Sequence, residues 1–100
     1  MKYAITVNDE YKALVTIEMG AKNFSGDQPF SGSITTDKFG VCQITDGQVQ
    51  PGSGLLTGNT TIDGVSAEFS ARIAGNAISG TITYCVIWTH RAAFEGMETT

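Results

Sequence analysis

Between Val65 and Trp88 the chain alternates apolar and polar residues almost without error, and this feature excludes most folds. Val65, Ala67, Phe69, Ala71 and Ile73 share one parity, while Ser66, Glu68, Ser70 and Arg72 share the other. That is the period of a strand with one buried face, because successive side chains point to opposite sides of a sheet. Gly75-Asn76 follows, and alternation resumes at Ile78, Gly80, Ile82, Tyr84, Val86 and Trp88. Two alternating runs joined by a two-residue Gly-Asn connection predict a β-hairpin with a turn of the primed kind.

The rest of the chain repeats this grammar. Tyr3, Ile5 and Val7 lead into a turn at Asn8 to Glu10, and Tyr11, Ala13, Val15 and Ile17 return. A polar stretch, GAKNFSGDQP, separates this hairpin from PFSGSITT, KFGVCQIT and a short GQVQ, with turn signals at Asp37-Lys38 and Asp46-Gly47. PGSG then breaks the pairing before LLTG, NTTID and the turn signal Asp63-Gly64. Thr, Ile, Val and Gly dominate, and no segment sustains a helical period. The expectation is one all-β domain over residues 1–100, an antiparallel meander of eight or nine short strands. Such a meander protects its edges by closing into a small β-barrel or by packing as a two-sheet β-sandwich. Gly32, Gly40 and Gly80, inside strand patterns, favour the barrel, since a missing side chain lets a strand bend or approach another backbone.

The run VSAEFSARIAGNAISGTIT followed by AAFEG, within residues 65–96, resembles the C-terminal barrel pattern of bacterial surface lipoproteins of the transferrin-binding type. More loosely it is similar to lipocalin and avidin barrels. The resemblance implies a meander strand topology and carries no function or binding residue with it.

Charge and cysteine usage narrow the function classes. A net charge of −4 with six scattered cations argues against nucleic acid as a partner, because binding phosphates needs clustered Lys and Arg. No apolar run approaches the roughly 18 residues of a membrane-spanning helix. The opening MKYAITVNDEYK lacks the continuous apolar region of a signal peptide, so a cytoplasmic location with no membrane partner is expected. Cys42 and Cys85 lie in strand-like runs; if Phe39 and Val41 face the core, both thiols point away from it, free to pair or to remain reduced. Two Cys and one His without CxxC spacing make no metal quartet, and no cofactor motif is visible. PGSGLLTGN lacks the GK[ST] ending of a phosphate-binding loop and reads as a plain loop.

The candidate site residues lie mostly in one stretch, YCVIWTHRAAFEGM. By parity Trp88 continues the face of Tyr84 and Val86 and is expected to close one end of the core, with His90 and Arg91 emerging into water as a contact pair. Phe24, in the long polar loop, either contacts a partner or, with Phe30, plugs a barrel end. The binding residues so proposed are Trp88, His90, Arg91, Tyr84 and Phe24, and no catalytic residue is assigned. The leading expectation is a non-catalytic binding or protein-interaction module, homodimeric, that takes a protein partner or a small apolar ligand through loops at one end. Two alternatives stay open. One is a small intracellular inhibitor of a larger enzyme or nucleic-acid machine; the other is an enzyme with His90 as general base beside Tyr84 and Glu95.

Overall fold

In the computed structural model, which describes residues 1–99, every regular element is a strand: β1 (Lys2–Val7), β2 (Tyr11–Met19), β3 (Gln28–Thr36), β4 (Gly40–Val49), β5 (Leu56–Ile62), β6 (Val65–Ala74), β7 (Ala77–Val86) and β8 (Trp88–Glu98). Each strand pairs antiparallel with the next, and β8 returns to pair with β1, from Val7↔Phe94 to Tyr3↔Glu98. The protein is a closed eight-stranded meander barrel. Closure removes the unpaired edges that a sandwich would have kept.

Alternation decides what fills it. Tyr3, Ile5, Val15, Ile17, Phe30, Ile34, Ile44, Leu56, Phe69, Ile78, Ile82 and Phe94 are buried and form one core. The outward positions read Thr, Ser, Asn, Gln and charged residues on most strands, such as Thr57, Asn59 and Thr61 on β5 or Ser66, Glu68 and Arg72 on β6. This is the inverse of a membrane-spanning barrel, whose outer band is apolar.

Two glycines make the closure possible. A Cβ on Gly96 would collide with the Ala4 carbonyl oxygen across the β1–β8 seam, and one on Gly80 would collide with the Ser70 carbonyl oxygen. Only hydrogen fits where the strands bend this tightly. The expectation for Gly32 holds in the same way against Thr16, whereas Gly40 opens β4 with a φ of 69° and meets nothing nearby.

The sequence divisions at Asp46-Gly47 and between LLTG and NTTID are corrected. GVCQIT of the first run and GQV of the second belong to the single strand β4, and LTGNTTI is the single strand β5. Thr45 pairs with Asn59 but Gln48 with Thr57, so β4 carries one extra residue: a bulge at Asp46, whose φ is 54°. The extra residue reverses parity. Upstream of it Cys42 and Ile44 face inward, downstream Gly47 and Val49 do, and Phe39 and Val41 turn to solvent. Cys42, upstream of the bulge and on the parity of Ile44, is buried, contrary to the outward placement read from Phe39 and Val41, while Cys85 is exposed as expected; both thiols are free.

Candidate functional site

The eight strands give the barrel two unlike ends. One is bounded by the Gly20 to Asp27 loop, the Gln50 to Leu55 loop and the Gly75-Asn76 turn; the other by the turns after β1, β3, β5 and β7. At the first end the interior is filled by large side chains. Phe69 stacks on Phe94 with centroids 5.6 Å apart and tilts against Phe30 at 6.4 Å, with Tyr3, Ile17 and Leu56 closing around them. Toward the second end the inward positions become small: Ala13 on β2, Cys42 on β4, Ala67 on β6 and Ala92 on β8. Wherever four facing strands carry alanine or cysteine, the barrel cannot fill its own bore.

The result is a cavity of about 300 Å³ opening at that end. Its wall is mostly apolar, with Ile34 and Ile82 between the small residues and Ile62 and Val65 flanking the Asp63-Gly64 turn; the polar lining residues are Asn8, Thr36 and Asp63, together with Tyr11 and Tyr84. Two of these polar groups serve the backbone. The Asn8 amide donates to the Ala93 carbonyl at 2.8 Å and its side-chain oxygen accepts from Ala93 N–H at 3.2 Å. Thr36 Oγ1 accepts from Phe39 N–H at 2.8 Å. Asp63 and Gly64, with φ of 52° and 77°, make the two-residue turn that sets Asp63 at the rim.

Above the rim, β7 and β8 run on past their neighbours. β6 meets β7 no further than Ala67↔Tyr84, and β1 meets β8 no further than Val7↔Phe94. Beyond those points the hairpin holds itself together, through Tyr84↔His90, Cys85↔Thr89 and Val86↔Trp88, and reverses in the single residue Ile87. Ile87 has a φ of 68°, a left-handed conformation costly for a β-branched residue. Val86, Ile87 and Trp88 stand exposed at the tip.

Four of the residues proposed from the sequence lie on this hairpin, and the fifth, Phe24, lies in a loop at the opposite end. Tyr84 lines the cavity mouth, and the His90 ring stacks on it with centroids 5.1 Å apart. Trp88 does not close the core: it is 71% exposed. Parity was right, since Trp88 does sit on the same side as Val86, but a one-residue turn reverses the chain without disturbing alternation, so Trp88 lies beside Val86 rather than beyond it. Arg91, opposite Thr83, faces outward. Phe24 is fully exposed in its loop, while Phe30, its suggested partner in plugging an end, belongs to the packed core. The trio of an enzymatic reading is not assembled, because Glu95, opposite Ser79 and Thr6, points away from the side of the strand on which His90 and Tyr84 stack. What sequence reading missed is the set Ala13, Cys42, Ala67 and Ala92; its signal was the drop in side-chain size at inward positions on one side of the barrel's waist.

Among the described residues no three His, Cys, Asp or Glu side chains converge on a point where they could hold a metal ion. Comparison with protein-family models, with curated proteins and with solved structures finds no match to this chain.

Proposed function

We propose that this protein is a binding module that takes a small apolar molecule into the open end of its barrel. The observation that carries the reading is the cavity of about 300 Å³ with a mostly apolar wall. At roughly 30 Å³ per water it would hold about ten waters with few polar partners, so an apolar guest gains by displacing them. Each buried methylene contributes about 0.8 kcal/mol before the cost of immobilisation, which places guests of about ten non-hydrogen atoms in the sub-millimolar range.

The test is a filled cavity. Ala92→Phe puts a ring into space lined by Ile82 and Tyr84 and should abolish uptake of n-octanol, read from the methyl NMR signals of Ala13 and Ala67, while thermal stability is retained. Unchanged octanol binding in a folded Ala92→Phe protein would remove the cavity from the function.

A second reading, self-association, rests on the β7–β8 hairpin. Residues Trp88 to Ala92 lie beyond the last pairing with β1, and the tip exposes Val86, Ile87 and Trp88. An unpaired edge with an apolar tip favours a second strand, and in a homodimer that strand comes from another copy. Sedimentation at twice the 10.6 kDa chain mass supports it, and a monomer at high micromolar concentration removes it.

A further inference from the structure

The cavity's charge names a ligand class more narrowly than its shape does. Among the described residues Asp63 is the only carboxylate in the lining, and no Lys, Arg or His lines it. Asn8 Oδ1 and Thr36 Oγ1 already accept backbone hydrogen bonds, so the charged acceptor left in the lining for a hydrogen-bond-donating head is Asp63, with Tyr11 and Tyr84 beside it in the lining. Asp63, Tyr11 and Tyr84 line one mouth, and a mouth that offers both a carboxylate and aromatic rings suits an ammonium group, which gains from the opposite charge and from the ring faces. One cation stands near the mouth without lining it: Lys38 Nζ sits 5.3 Å from the centroid of the Phe39 ring, which does line it, so the preference for an amine rests on Asp63 lying in the lining and Lys38 outside it. An anionic head would instead meet Asp63 at the rim.

Resting on the reading of the cavity as a binding site, we infer that its ligands are small apolar amines, held with the hydrocarbon body against Ala13, Ala67, Ala92 and Ile82 and the ammonium at the mouth that Asp63, Tyr11 and Tyr84 line. The same geometry selects against fatty acids, although their tails would fit the apolar wall equally well.

Three probes of matched length separate the two levels of the argument: n-octylamine, n-octanol and n-octanoate, titrated at neutral pH and low salt by calorimetry and methyl NMR. The amine should bind about fivefold more tightly than the alcohol, the size expected for one exposed ion pair with ring contact, and the octanoate more weakly than either. Asp63→Asn is the matched variant, because Asn tolerates the left-handed turn position that Asp63 occupies. In it the amine's advantage over the alcohol should vanish while alcohol binding stays as it was. If the three probes bind equally, if octanoate binds best, or if Asp63→Asn keeps the amine preference, the amine inference is overturned and the cavity reading survives. If none of the three binds, both fall together.

Discussion

The two ends of this barrel are built from the same strands with the same alternation, yet one is a core and the other a container. At the packed end Phe30, Phe69 and Phe94 meet over a floor of Tyr3, Ile17 and Leu56. At the open end the equivalent inward positions carry Ala13, Cys42, Ala67 and Ala92. Binary patterning is identical at both, so pattern settles the fold and side-chain volume settles whether there is a site. The packed end supplies the burial that holds the barrel closed, and this frees the open end from having to contribute.

The sharpest way to break that contrast is to exchange volume between the ends. Phe69→Ala, at a ring that is 1% exposed and touches both neighbouring phenylalanines, should cost about 3–5 kcal/mol in urea unfolding. Ala92→Phe, the opposite change at the open end, should leave stability within about 1 kcal/mol of the parent, since the added ring enters existing space rather than displacing neighbours. If Ala92→Phe costs as much as Phe69→Ala, the open end is part of the core and the division between ends is wrong.

A smaller effect is expected at the hairpin tip. The left-handed Ile87 costs roughly 1–2 kcal/mol relative to a residue at ease there, and glycine recovers part of it after its own entropy cost. Ile87→Gly should therefore stabilise the fold by up to about 1 kcal/mol, seen as a higher urea midpoint. A lower midpoint would mean that the exposed isoleucine side chain contributes packing that outweighs its backbone.

Much of this architecture was legible beforehand, and the failures share a cause. The β6–β7 hairpin, the β1–β2 hairpin and the closed meander follow from alternation and turn chemistry alone, because period two forces a sheet and Gly-Asn forces a reversal. Alternation cannot report an added residue, however, so the Asp46 bulge reads in sequence as a break between two strands. It cannot choose between two faces that both carry apolar residues either, so Phe39 and Val41 stood in for the core face that belongs to Cys42 and Ile44. Nor can it report a reversal that takes one residue, so Ile87 sent Trp88 outward when it was expected in the core. The candidate site was visible only through Tyr84. The alanines that make the cavity look unremarkable in sequence, since their meaning lies in facing one another across a closed barrel.

The smallest effect belongs to the packed end again and concerns pH. Tyr3 is buried on β1, its hydroxyl donating to Met1 Sδ at 3.4 Å, with Glu98 opposite it in the β1–β8 register. Burial raises the pKa of the phenol above its usual value of 10.0, and the Glu98 carboxylate raises it further. Both causes penalise the phenolate, so the unfolded chain releases this proton at a lower pH than the folded barrel does. The resulting stabilisation is fully present below about pH 10 and is lost as pH rises through the higher folded value. Tyr3→Phe removes the group from the balance: near pH 8 it should cost no more than about 1 kcal/mol, the worth of one weak hydrogen bond. Between pH 9 and the alkaline limit of folding its urea midpoint should decline less steeply than that of the parent. Parallel declines would mean that Tyr3 opens to water before it ionises, and the seam between β1 and β8 would then be a weak line in the end of the barrel that packing makes look strongest.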